Sequence, residues 1–335
     1  MGSFPPNAIV VVLALAAWGC GGTSDATRPA GSDSVAVAES EPMRRSVPPR
    51  RRHRLPPDVV ERAARDFSGL RADGEALSPD ELFGELARAN VLCIGDDPTE
   101  PHHHWMELTV ARELNQRAPA RGIELGLGLT VFSARDQRWL DQYAANELGE
   151  RGLLNMTHFD DNSGLDFALY RPLVEYAMSQ GVALVGLNAP SELLKRVASD
   201  GLETLSQEEV ESLAELDIDT EAGRRSFDQD RRRQPSADAA AANAHAAEVV
   251  SEETVAEHAS RWVNERRPAR QLLVLARTEQ CKRTAIPERL VRRDVRAVVS
   301  LCPVVERQGE SPPPILEGFD YGFVMAPPGS GATTD

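Results

Sequence analysis

Five short, mainly aliphatic runs constrain this chain more than any other feature. They are "NVLCIG" (90–95), "GIELGLGL" (122–129), "VALVGLN" (182–188), "QLLVLAR" (271–277) and "RAVVSLCPV" (296–304). The runs are near-continuous instead of alternating, the pattern of strands covered on both faces by helices in a parallel sheet. Helical stretches with readable caps lie between them. In "SPDE" (78–81), Ser78 stands at the N-cap, Pro79 at the first helical position and Glu81 at the third. Ser191 in "NAPSELLKRVA" opens a helix directly after a strand, and Ser206 with Glu209 forms another capping box. The expected fold class is therefore α/β, a mostly parallel central sheet flanked by helices. Segment 202–265 has no strand candidate and an Ala-rich, helix-forming composition. It is expected as a helical insertion covering one end of the sheet.

The α/β domain is expected over 57–327, followed by a disordered tail at 328–335. Ahead of it, the apolar run 8–18, "AIVVVLALAAW", is too short to span a bilayer, which takes roughly 20 residues. A run of that length ending in small residues reads as an export signal over 1–19. Ala-Trp-Gly-Cys at its end resembles a bacterial lipoprotein cleavage site, which makes Cys20 the lipidated first residue. Residues 20–56 are Pro-, Ser- and Gly-rich with few large apolar side chains, so burial cannot offset ordering entropy. They are expected as a disordered tether to a bacterial membrane, with the domain facing the periplasm or carried on the outer membrane. A formal charge of -15 argues against a nucleic-acid partner. After Cys20, three cysteines remain. Cys281 lies just past one strand and Cys302 late in another, so these two are the expected disulfide in an oxidising compartment. Cys93, inside an apolar strand, is expected as a buried thiol.

Ligands of open α/β sheets bind beyond the carboxyl ends of the strands. Here those ends carry Asp96, Thr130, Asn188 and Gln280, which are expected to converge on one pocket. The stretch "VLCIGDDPTEPHHHW" (91–105) adds three consecutive histidines where Pro101 suits a first helical turn. At about 100° per residue, His102, His103 and His104 point in three directions and cannot all ligate one ion. At most one is expected at the pocket rim. There is no HExxH, no nucleophile elbow and no Gly-rich phosphate loop. The residues alone define a polar strand-end site and name no reaction.

Several landmarks in order resemble the ChaN-like haem-binding uptake family, within the Tiki and erythromycin-esterase-like grouping. "IGDDPTEPHHH" is similar to its first motif at Gly95, Pro101, His103 and His104. "GLTVFSARDQRWLDQY" matches the second at Gly128, Phe132, Gln137, Leu140 and Asp141. "DFALYRPLVEYAMSQGVALVGLNAPSELLKRVASDGL" (166–202) follows the third almost throughout. "AEVVSEETVAEHA" (247–259) and "RTEQCKRTAIPERL" (277–290) resemble the last two. Scaffold positions survive (Tyr170, Arg171, Pro172, Asn188, Pro190, Pro287) while the polar positions change. Asp96 stands for a Glu, Pro98 and Gln280 for histidines, and Thr130 for a Glu.

The resemblance implies non-catalytic binding of haem or another small hydrophobic ligand, linked to iron acquisition. The site residues are Asp96, His103, His104, Thr130, Tyr143, Tyr170, Asn188 and Gln280, with a histidine or tyrosine as axial donor. No tightly bound divalent metal is expected, because Pro98, Thr130 and Gln280 replace ligand-type side chains. Two rival readings stay open: a metal-dependent hydrolase with Asp96 as base, and a degenerate scaffold acting through protein contacts. The address is directly testable. Cys20→Ser should block signal removal and release the protein from the membrane fraction; a variant that partitions like the wild type removes the lipoprotein reading.

Overall fold

All five aliphatic runs become strands of one eight-stranded sheet in the computed structural model, which describes residues 67–213, 216, 238–265, 269–305 and 316–325. The expected signal segment, Cys20, the tether and the tail lie outside the described residues. In chain order the strands are β1 (Phe67–Arg71), β2 (Ala76–Leu77), β3 (Val91–Asp96), β4 (Glu124–Ser133), β5 (Ala183–Asn188), β6 (Arg270–Arg277), β7 (Val298–Val305) and β8 (Tyr321–Met325). Their spatial order is β2-β1-β8-β7-β3-β6-β4-β5. Every pairing from β8 to β5 is parallel; β1 runs antiparallel to both β2 and β8.

The helices supply the two outer layers. They are α1 (Pro79–Leu86), α2 (Pro101–Arg117), α3 (Gln137–Ala144), α4 (Glu150–Thr157), α5 (Phe159–Ser163), α6 (Arg171–Gln180), α7 (Ser191–Asp200), α8 (Gln207–Ser212), α9 (Asp238–Asn264) and α10 (Ile286–Arg292). Successive residues of β3 separate the layers, since side chains alternate across a strand. Leu92 and Ile94 join one core with Met106 and Leu114 of α2 and Leu173 of α6. Val91 and Cys93 join the other with Val255 and Ala259 of α9 and Ile286 of α10. A strand buried on both faces has no use for polar alternation, which accounts for the continuous aliphatic runs.

The expected helical insertion is corrected here. Its longest described element is α9, the last helix of the crossover from β5 to β6. Val255, Ala256, Ala259 and Val263 pack into the second core, while Ala246 and Val250 pack on Leu193 and Val197 of α7. This helix is a full member of one layer. Small alanines hid its apolar stripe, because burying Ala removes little surface yet permits close approach to the sheet. Gly126 of β4 completes that approach: a Cβ there would lie 2.5 Å from the Trp262 ring. Residues 217–237 lie outside the described set.

The cysteine assignment is also corrected. The bond joins Cys93 to Cys281, both fully buried with Cα atoms 5.3 Å apart, and among the described residues Cys302 is the free thiol. Closeness in sequence to strand ends misled the expectation. β3 and β6 are direct neighbours, so the turn leaving β6 folds back over β3 and brings Cys281 to Cys93. Gly95 makes room for that turn, since a Cβ there would meet the Thr278 Cα at 2.9 Å. Burial pushes the Cys302 thiol up to about 11, which keeps it protonated and unreactive. The cross-link closes a span of 188 residues. Replacing Cys93 and Cys281 together by Ala should lower unfolding free energy by about 2–5 kcal/mol. Cys302→Ser should leave the denaturation midpoint nearly unmoved, and equal midpoints for both variants would contradict the assignment.

Candidate functional site

The carboxyl ends of β3, β4, β5 and β6 open onto one cavity of about 1060 Å³. Asp96, Thr130, Asn188 and Gln280 all line it, so the four strand ends converge as their order predicts. β4 reaches the cavity through a register shift between Leu129 and Ser133, which pushes Thr130 out of the regular ladder. Three of these residues are tied together. Gln280 Nε2 donates to Ser251 Oγ (3.1 Å), Ser251 Oγ donates to Asn188 Oδ1 (2.9 Å), and Asn188 Nδ2 donates to the Thr130 carbonyl (3.0 Å). The Thr130 hydroxyl in turn donates to the Leu275 carbonyl at 2.8 Å. The amides therefore act first as cross-braces between strand ends, and Ser251 carries the brace onto α9.

Asp96 belongs to a separate, tighter group. His104 and Glu107 sit one turn apart on α2, and with Asp96 they place donor-type atoms within 4.8 Å of one another, all three residues buried. His104 Nδ1 faces Glu107 Oε2 at 3.0 Å, and its Nε2 lies 3.0 Å from the Pro98 carbonyl oxygen. Burial works against the imidazolium, but the charge and hydrogen bond of Glu107 outweigh it and raise the His104 pKa. Burial, with the neighbouring Glu107 carboxylate, holds the Asp96 carboxyl well above the usual range. The Tyr170 ring packs edge-on against His104, with centroids 4.6 Å apart. Its phenol lines the cavity, and burial beside Asp96, Glu107 and Asp97 raises its pKa far above the ordinary value.

The expected histidine and Tyr143 donors find other places. His103 Nδ1 accepts from the Asp97 N–H at 2.8 Å, and burial lowers its pKa to about 4, so it is a neutral brace of the loop that begins α2. Neither His103 nor His104 reaches the cavity wall, and both ring nitrogens of His104 are engaged. Tyr143 is buried in the first core, away from the cavity. The histidines that do line the cavity are His158, at the left-handed junction of α4 and α5, and His245 on α9. Nothing in the sequence marks His158 except its position before a second helix start. Its φ of 51° places it there.

A third group was invisible in the sequence because its members are far apart in the chain. Arg289 of α10 is fully buried and reaches Glu252 at 2.9 Å and Glu253 at 3.1 Å on α9. Arg292 and Arg293 each approach Glu253 at 2.7 Å, and Arg277 pairs with Glu248 at 2.7 Å. Arg289, Glu252, Glu248 and Arg277 line the cavity, so one wall carries two arginines and two acids.

An α/β sheet with a ligand-sized cavity at its parallel strand ends defines a small-molecule binding class. The sequence pattern described as "Haem-binding uptake, Tiki superfamily, ChaN" matches residues 82–290, and the chain belongs to that family. Among solved structures it is similar to ChaN of Campylobacter jejuni, described with cofacial heme binding. That similarity has a TM-score of 0.60 and 16% identity over 77% of this chain and 96% of that one. An erythromycin esterase in its open conformation is similar at a TM-score of 0.42 and 13% identity, over 78% of this chain and 83% of that one. The chloroplastic protein RETICULATA-RELATED 5 of Arabidopsis thaliana is 26% identical over 131 residues, 38% of this chain; the chain spans only 17% of that relative.

Burial pushes the Glu252 carboxyl up to about 8 despite the pull of Arg289, with Glu248 and Glu253 pushing the same way. An acid whose folded pKa is raised favours folding at low pH, and that contribution fades as pH climbs from about 4.5 through 8. Glu252→Gln lacks this titration. Its Tm relative to wild type should therefore rise steadily between pH 5 and pH 8, measured by calorimetry. Parallel Tm curves would show that Arg289 keeps Glu252 ionised throughout.

Proposed function

We propose that this protein binds haem in the strand-end cavity without transforming it, as an exported, lipid-anchored protein serving iron acquisition. The cavity is the observation that carries the reading. At about 1060 Å³ it stands at the top of the usual range for small-molecule sites, about 300–1,000 Å³, which suits a macrocycle. Family membership supports the ligand class. The wall chemistry fits haem: Leu129, Val131 and Leu165 offer apolar surface, and Met156, 45% exposed, lies at the cavity edge. Arg135 and Lys195 line the same cavity and suit the two propionates.

Haem needs one axial donor with an available lone pair. His158 and His245 are the imidazoles that line the cavity. Tyr170 fits less well, because ligation through a phenolate calls for an ionisation that its burial among carboxylates opposes. Bound haem would supply an iron centre, while the chain's own residues bind, orient and shield it. A non-catalytic role agrees with the way Asn188, Ser251 and Gln280 spend their polar groups on one another.

Haemin titrated into the full chain should give a shifted Soret band at one equivalent. His158→Ala or His245→Ala should weaken binding at least about tenfold, and Tyr170→Phe should bind as wild type. Absence of a Soret shift in folded wild type overturns the proposal. Loss of the shift in Tyr170→Phe alone would move the axial ligand to the phenol.

A further inference from the structure

The group formed by Asp96, His104 and Glu107 has an imbalance that the haem reading does not use. The three residues are 5%, 5% and 1% exposed. His104 Nε2 faces the Pro98 carbonyl oxygen, which can only accept, so that nitrogen carries the ring's N–H. In the neutral ring Nδ1 keeps its lone pair and points at a carboxylate oxygen of Glu107, so a proton or another cation must lie between them. The other oxygen, Glu107 Oε1, is buried with no hydrogen-bond partner. Asp96 brings a second carboxylate to the same point. Among the described residues, no Lys or Arg pairs with either acid; the ion pair recorded for Glu107 is with His104. Two carboxylates and an imidazole nitrogen thus converge in a buried space that no Lys or Arg among the described residues neutralises. Such an arrangement is costly unless something positive occupies the centre.

We propose that Asp96, His104 and Glu107 form a buried binding site for one divalent first-row transition ion beside the cavity. The geometry suits it. Two ligand atoms about 2.0–2.1 Å from an ion lie roughly 3.0–3.4 Å apart at octahedral or tetrahedral angles. Nδ1 of His104 and Oε2 of Glu107 are 3.0 Å apart, and the whole set spans less than 4.8 Å. A histidine ligand whose second nitrogen donates to a backbone carbonyl is the ordinary outer-shell arrangement of metal sites. One imidazole with two carboxylates is a borderline set, matched to Zn²⁺, Fe²⁺ or Mn²⁺ more than to Ca²⁺ or Cu⁺. An ion of charge +2 neutralises both acids and gives Glu107 Oε1 its missing partner. Asp96 also lines the cavity, so the group adjoins it. The sequence pointed away from metal by weighing Pro98, Thr130 and Gln280. It overlooked the spacing His104-x-x-Glu107, which places both side chains on one helical face.

The test uses the full chain, stripped with a chelator, dialysed, and titrated with Zn²⁺ by calorimetry, with Co²⁺ absorbance as a second probe. Wild type should take up one equivalent and unfold at a higher Tm when loaded. Glu107→Gln should lose that equivalent, as should Asp96→Asn, which keeps the shape of the side chain but not its charge. Glu113→Gln, an acid of α2 that pairs with Arg117 away from the cavity, should bind as wild type. Near-ultraviolet circular dichroism checks that each variant is folded. If folded wild type takes up no Zn²⁺, Mn²⁺ or Fe²⁺, protons alone hold the group together and the proposal fails. It fails equally if Glu107→Gln and Asp96→Asn keep the wild-type isotherm, which would place the ion elsewhere. Haem binding is read separately through the Soret band, so either proposal can fail without the other.

Discussion

A strand buried on both faces that ends in a carboxylate is the constraint on which the rest of this structure turns. All six residues of β3 are buried, including Asp96. Its neighbours β6 and β7 run parallel to it, so all three deliver their ends to one edge. The aliphatic part of β3 gains from burial at roughly 25 cal/mol per Å² of apolar surface. The carboxylate at its end loses solvation by the same placement. What surrounds Asp96 is the response to that loss: its pKa is displaced upward, Glu107 and His104 are drawn in from α2, and the Pro98 carbonyl fixes the His104 ring.

The same edge is reinforced covalently and sterically. Cys281 is joined to Cys93, and its neighbour Gln280 is thereby held over the cavity in a fixed position. Gly95 permits that turn to approach β3, and a side chain there would push it away. From Gln280 the support continues by hydrogen bonds through Ser251 and Asn188 to β4. Rigidity of this kind lowers the ordering cost of binding, which favours a preformed pocket over one assembled around its ligand. The facing wall is different in character. There Glu252, Glu253 and Arg289 lie buried together, with both acids within ion-pair distance of the arginine.

Much of the fold was legible locally. Continuous aliphatic runs such as 271–277 identify strands because a parallel sheet between helices imposes no polar face. Ser78 with Glu81, and Ser206 with Glu209, mark helix starts that appear as capping boxes in the structure. The convergence of Asp96, Thr130, Asn188 and Gln280 also followed, since parallel strands share a carboxyl edge. α9 was misjudged in role because alanine gives a weak apolar signal even where it is fully buried, as at Ala256 and Ala259.

The sequence by itself determined the local elements, the parallel sense of the sheet and the edge at which a ligand site forms. Those features depend on side-chain periodicity and on caps a few residues apart, which the chain states directly. Tertiary structure alone decided the partners. Cys93 meets Cys281 across 188 residues because β3 and β6 are adjacent, and no spacing rule encodes adjacency. His104 turns from the cavity toward Glu107 and Pro98, while His158 and His245 reach the wall, because helix rotation on the sheet is set by packing. Arg289 finds Glu252 and Glu253 only when α9 and α10 lie side by side. Such pairings carry the site's chemistry, and they exist only where the packed cores bring distant segments within a few ångströms.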